Sequence, residues 1–271
     1  MGIYLDYNIN NIPEHYKDDC FVMDTLKVKR ANIKYHDFHF PLAYRNFILY
    51  KNLIRAPFIQ RLDVGRDVVL EEDLLFFLKS KFRKGTFHTN RKIGVVNFQE
   101  LERENFYLEM SKDYDQIYSN FSPDTKRILS RQREQNKLEI RDIDSTLFCS
   151  YSNDNINQDI PSFYRDLNRY KRIIDLSIED GSALLQGVYY EERLITVAFL
   201  RWSGNRLKFL MPISNQEGKS QKATSFLLDS IFRSICNRNV IFDFSGSSVP
   251  SIATFMKNFG VETEYYYAYS W

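Results

Sequence analysis

Two ionisable side chains, Asp243 and Lys257, stand where burial alone would not put them. Asp243 lies in Ile241-Phe242-Asp243-Phe244-Ser245, a strand pattern that sends the phenylalanines to one face and Ile241, Asp243 and Ser245 to the other. Burial on such a strand raises a carboxyl's proton affinity, which suits a general base or a group that orients an amine. The same carboxyl has a structural use, to hydrogen-bond the Ser245-Gly246-Ser247-Ser248 turn and fix the strand end. Ser245 and Ser247 in that turn are candidate substrate contacts. Lys257 falls off the apolar stripe Ile252, Phe255, Met256 and Phe259 of a following short helix. There it could hold an anionic substrate or a developing oxyanion, or simply complement the negative end of its helix.

A second candidate is the polar stretch Ser214 to Gln221, which reads as a loop leading into a helix. Backbone N–H groups of Gly218, Lys219, Ser220, Gln221, Lys222 and Ala223 could cradle a pyrophosphate, with the two lysines adding charge. A solvated loop capping a core helix would carry the same residues. Arg127 and Arg131 share a face of a basic helix and could grip phosphates of a nucleotide-linked substrate, a tRNA or an acidic lipid head. Asp124 and Glu134 dilute that charge, so a solvated face is the competing reading. His36 and His39 lie three apart without a helical signature or further ligands nearby, and no metal site is expected. All four histidines precede Arg91, which leaves the C-terminal half without a Ser-His-Asp or Cys-His set.

The elements that must position these groups read clearly in the second half. A strand at Leu138 to Arg141 and a helix at Pro161 to Ile174 precede a meander of three strands, Ala183–Tyr190, Leu194–Trp202 and Arg206–Met211. A helix from Lys222 to Asn237, the strand of Asp243, a helix opened by Pro250 and stopped by Gly260, and a strand from Glu262 to Tyr269 follow. Earlier, strands are expected near Lys27–Lys34, Asn46–Lys51, Ala56–Leu62, Ile93–Asn97 and Asn105–Met110. Helices are expected at Glu71–Phe82, at Tyr114–Phe121, and from Pro123 to Lys137 behind Ser122. The class is α+β, with a division near Phe121 into residues 1–121 and 122–271.

Composition bounds the function. A chain of 271 residues fits one large domain or two medium ones, and a net charge of +2 gives no overall basic field for nucleic acid. Three dispersed cysteines, an odd number, argue for reduced thiols and a cytoplasmic setting. No leader and no apolar run near eighteen residues is present, so no membrane span is expected, and composition alone gives a peripheral membrane contact no support.

The order of elements resembles the GNAT acyltransferase fold. FDFSGS followed by SIATFMKNFG, with FSPDTKRILSRQRE and the REN-FYLEM strand, resembles GNAT-like proteins related to the Fem peptidyltransferases. Met256-Lys257-Asn258-Phe259-Gly260 matches the Phe-Lys-x-x-Phe-Gly-like helix end of that group, with Met for the first Phe. The resemblance runs from about Phe47 to the end and is sharp in the C-terminal half. It implies two GNAT-like units in tandem, the first degenerate, the second carrying the cleft. It also implies transfer of an acyl or aminoacyl group from acyl-CoA, or from an aminoacyl-tRNA as in Fem-type enzymes, directly to an amine. Under it, Asp243 serves as base, Lys257 as oxyanion or substrate contact, and Tyr266, flanked by Tyr265 and Tyr267, as acid for the leaving group. The phosphate stretch departs from the GNAT pattern, since Lys219 stands where a glycine is usual. The alternative is a GNAT-like scaffold that binds a ligand or protein partner without turnover.

Overall fold

The computed structural model of the chain describes residues 3–6, 13–65, 67–155, 167–246 and 249–271, without the side chains of 168 and 169. It is a mixed α+β structure that divides into two units, Met1–Glu104 with Glu264–Trp271, and Asn105–Thr263. Its boundary falls at Glu104, whereas the sequence reading divides the chain near Phe121. The residues after Glu104 pair with late strands, so contacts and not linker composition set the boundary.

In the first unit, strands β1 (Tyr4–Asp6), β2 (Lys29–Tyr35), β3 (Phe38–Asn46) and β4 (Lys51–Ile54) form an antiparallel meander in that order. Helix α1 (Lys17–Thr25) precedes β2, and α2 (Glu72–Lys81) follows β4. Helix α2 buries Leu74, Leu75 and Leu78 fully, one stripe set by helical spacing. Asp73 at its start accepts a hydrogen bond from the buried Tyr35 hydroxyl at 3.0 Å. Strand β5 (Thr86–Thr89) pairs with Tyr267–Ser270 of β12 (Glu262–Ser270). Three strand expectations fail here. Residues 46–51 form the β3–β4 turn, and 56–62 and 93–97 form no named strand; from these two segments Leu62, Ile93 and Val95 pack against the core.

His88 on β5 titrates abnormally. Burial first, and then the Arg55 charge, push its imidazole down to about 4, although a backbone hydrogen bond with Gln60 acts the other way. The unfolded chain therefore binds the proton first as pH falls. His88 contributes stability that is whole above about pH 6.5 and is lost down to about pH 4, of order 3 kcal/mol at most. Thermal melts across that range should show a falling Tm that is flatter in His88→Gln; an unchanged slope would refute the assignment.

The second unit holds, from Asn105 of β6 (Gln99–Glu109) onward, strands in the order β6, β11 (Ile241–Asp243), β10 (Arg206–Ser214), β9 (Arg193–Ser203), β8 (Ala183–Tyr190), β7 (Leu138–Asp142). All neighbours are antiparallel except β10 and β11. A parallel pair requires a crossover, which α7 (Gln216–Ser220) and α8 (Ala223–Ile235) supply. Helix α8 lays Ala223, Leu227, Leu228, Ile231, Phe232 and Ile235 on the core. Strand β9 is buried from Ile195 to Arg201 without alternation, as a central strand covered on both faces should be. The covers on the other face include α5 (Ser145–Asn155) and α6 (Leu167–Glu179). Helix α5 carries no strong apolar period and is absent from the sequence expectation. The expected helix from Pro161 begins outside the described residues, and its described part runs past Ile174 to Glu179.

Helices α3 (Tyr114–Ser119) and α4 (Pro123–Gln135) open on local signals. Asp113 and Gln116 form a capping box, and Ser122 caps α4 with its hydroxyl accepting from Thr125 N–H at 3.2 Å. Asp229 of α8, buried to 4% exposure, accepts from Tyr114 and from Arg133 and Arg233, tying three helices together. Burial and that hydrogen bond raise the Tyr114 hydroxyl's pKa.

Candidate functional site

The sheet of the second unit opens where its two parallel strands part. Strands β10 and β11 are paired over only Arg206–Lys208 and Ile241–Asp243, although β10 continues to Ser214 alongside β9. A register shift between Phe209 and Met211 bends β10 at that point. Beyond Lys208, among the described residues, β10 has no strand partner on its β11 side. Its backbone there presents an open edge at the carboxyl ends of parallel strands, a usual place for ligands in mixed sheets. On one face the opening is backed by aromatic rings. Phe209, Phe242, Phe244, Phe232 and Phe259 are all buried, with ring centres 4.9 to 6.5 Å apart for seven pairs.

Asp243 closes β11 at 4% exposure. Its Oδ1 accepts from Asn105 Nδ2 at 3.1 Å and from Ser245 N–H at 2.7 Å. Its Oδ2 accepts from Arg206 Nη1 at 3.0 Å. Ser245 and Gly246 both take left-handed backbone angles, with φ of +58° and +60°, which turn the chain back toward the carboxylate. Ser247 lies outside the described residues. Arg206 and Asn105 were not singled out by sequence reasoning. Arg206 follows a hairpin glycine, and Asn105 is the polar residue at the head of an apolar run, so each carried only a faint signal.

Helix α9 (Pro250–Lys257) starts on Pro250 as expected, but Ile252 is 44% exposed and leaves the stripe to Met256 and Phe259. The helix is short, and it meets the core through Ala253, Phe255 and Met256. Lys257 is exposed, with its ammonium 5.0 Å from the Phe106 ring centre. Asn105 and Phe106 are consecutive on β6 and leave opposite faces of the strand. Asp243 is bonded to the first, and the Lys257 ammonium lies over the ring of the second. Tyr266 belongs to the first unit. It is buried there, its ring centre 6.0 Å from that of His88 and 5.9 Å from the Arg61 guanidinium.

The polar stretch is not a loop. Asn215 caps α7 by accepting from Gly218 N–H at 2.7 Å, and the N–H groups of Lys219, Gln221 and Lys222 donate to Asn215, Glu217 and Lys219 carbonyls. Those donors are therefore spent on the helical turn. Gly218 is required for packing: a Cβ there would overlap the Ile195 carbonyl oxygen and come within 2.6 Å of Thr196 Oγ1. Lys222 has φ of +55°, Ala223 is fully buried, and Lys219, Ser220 and Lys222 are exposed. At the start of α8, hydroxyls of Thr196, Ser214 and Thr224 link in a row at 2.8 and 3.1 Å. Arg127 and Arg131 are exposed on α4, and Arg127 pairs with Asp124 at 2.9 Å.

Together, the meander, the crossover helix and the parted parallel strands make a fold similar to those of FemX and of a tandem GNAT protein. FemX matches at a TM-score of 0.62 and 12% identity, over 98% of this chain and 97% of that one. A conserved protein of unknown function from Bacteroides thetaiotaomicron VPI-5482 matches at 0.58 and 8% identity, over 92% and 88%. A tandem GNAT protein from the clavulanic acid biosynthesis pathway matches at 0.53 and 9% identity, over 99% and 98%. At such identities the likeness is one of fold. No family model matches the chain, and no curated protein matches it in sequence.

Proposed function

We propose that the unit Asn105–Thr263 transfers an acyl or aminoacyl group from a thioester or ester donor to an amine. The observation that carries this reading is the parting of β10 from β11 after three residue pairs. The open edge of β10 offers N–H and C=O groups to an extended, amide-bearing donor arm, in the manner of an added strand. Donor phosphates would meet the N-terminal end of α8 with Lys219 and Lys222 beside it. The attacking amine must lose a proton and the leaving thiolate or alkoxide must gain one. Asp243 is the carboxylate nearest that opening along β11, and in this reading it positions the acceptor while Arg206 and Asn105 hold it. Lys257, Arg127 and Arg131 are left for contacts to an anionic acceptor or a tRNA carrier.

Acyl-CoA is the preferred donor, and the tandem GNAT neighbour, described in a form without AcCoA, supports it. Acetyl-CoA at a hundredfold excess over its Kd should stabilise the chain by about 2.7 kcal/mol, a rise of several degrees in Tm. Free adenosine diphosphate should leave Tm unchanged. If neither acetyl-CoA nor a longer acyl-CoA shifts Tm at millimolar concentration, the thioester donor is abandoned for aminoacyl-tRNA. Two observations favour a second reading, a binding scaffold without turnover. The Asp243 carboxylate already accepts three hydrogen bonds, and phenylalanines back the opening. A saturable Tm shift with no transfer to any amine in a donor-by-acceptor screen would select it.

A further inference from the structure

The turn between β3 and β4 exposes two aliphatic side chains that nothing in the hairpin requires. Asn46 and Lys51 are the last paired residues, and Phe47 N–H donates to the Tyr50 carbonyl at 2.8 Å. Ile48 and Leu49 fill the apex at 101% and 91% exposure. Two-residue hairpin apices favour Gly, Asn or Asp, so turn chemistry does not call for a β-branched residue and a leucine. Beneath them Phe47, itself 43% exposed, stacks on Tyr50 at 4.7 Å between ring centres.

The surroundings of this tip carry one sign of charge. No acidic residue occurs from Phe38 to Leu62 or from Leu74 to Gln99. Backbone hydrogen bonds join the two stretches: Arg83 N–H donates to the Lys51 carbonyl at 2.9 Å and Leu53 N–H to the Lys84 carbonyl at 3.0 Å. Arg45, Lys51, Lys81, Arg83 and Lys84 thus gather around the base of the hairpin, with the Arg83 guanidinium 4.8 Å from the Tyr50 ring centre. Ser80 and Lys81 share a shallow cavity with the tip.

We propose that this hairpin seats the protein on an anionic lipid bilayer. Ile48 and Leu49 enter the acyl boundary, Phe47 and Tyr50 lie at headgroup depth, and the cations meet lipid phosphates. A protruding apex ringed by cations matches a flat anionic surface, and its charge selects anionic over neutral lipid.

The test floats the full chain with vesicles of equimolar phosphatidylglycerol and phosphatidylcholine, and with phosphatidylcholine alone. Binding to the anionic vesicles should exceed binding to the neutral ones by about tenfold or more and fall as salt rises. Ile48→Ser/Leu49→Ser and Lys81→Glu/Arg83→Glu should each weaken it by about tenfold or more, with Tm unchanged because these side chains are exposed. Leu49→Trp should give a fluorescence blue shift on adding anionic vesicles. Equal retention of wild type and both variants overturns the proposal. So does the absence of vesicle binding together with a concentration-dependent self-association lost in Ile48→Ser/Leu49→Ser, which would assign the tip to a second copy of the chain.

Discussion

Gly260→Ala is expected to destabilise the unit Asn105–Thr263 by about 4 kcal/mol, from two independent causes. Gly260 has φ of +66°, where any Cβ costs about 1–2 kcal/mol. A Cβ there would also lie 2.6 Å from both the carbonyl oxygen and the Cβ of Asn120, an overpacking that typically costs about 1–3 kcal/mol more. The site is rigid on both sides, because Ser122 N–H donates to the Asn258 carbonyl at 2.8 Å and α4 starts at the next residue. The end of α9 and the start of α4 therefore cannot both yield. Gly204 and Gly181 serve as controls: each has positive φ, and nothing lies within 4 Å of an added Cβ. Urea unfolding of the full chain should show Gly260→Ala well below Gly204→Ala. Equal midpoints for the two would mean that the approach to Asn120 relaxes freely.

Asp243→Ala should cost about 3–5 kcal/mol, the range for removing one partner of a buried ion pair. It removes the carboxylate that accepts from the fully buried Asn105 amide, from the Ser245 N–H and from the Arg206 guanidinium, which is about one-fifth exposed. Asp243→Asn should cost less, since one amide oxygen still accepts from Ser245. Its NH₂ then faces the Arg206 donor. A double-mutant cycle with Arg206→Met should return a coupling of about 1–3 kcal/mol. Once a transfer reaction is measured, Asp243→Asn also separates roles. A general base loses the acidic limb of the kcat/KM pH profile, whereas a positioning residue keeps the limb and raises KM for the amine. Full activity in Asp243→Asn would remove Asp243 from the site altogether.

The strand, turn and helix of residues 241–260 were largely legible in the sequence. Phe242 and Phe244 do share a buried face, Pro250 does open a helix, and Gly260 does stop the chain in a left-handed angle. Each of these rests on chemistry within a few residues, where periodicity and backbone preference act. The meander and its Gly204 turn were legible for the same reason. The stretch 216–220 was not, because Asn215, Glu217 and Lys219 read equally well as a polar loop and as a capped turn of helix.

What Asp243 touches could not be read locally. Its partners Arg206 and Asn105 stand 37 and 138 residues away, and only the sheet order brings β6 and β10 to either side of β11. The same order sets the Lys257 ammonium over the ring of Phe106, which stands 151 residues earlier in the chain. Exposure of Ile48 and Leu49 was hidden as well, since FILY reads as strand until pairing makes it a turn. By itself the sequence determined the meander, the strand, turn and helix of 241–260, the α+β class and the position of the ionisable groups along the chain. The tertiary structure decided which of those groups face each other and which apolar residues remain in water. Strand pairing and burial are long-range choices, and local propensity holds no record of them.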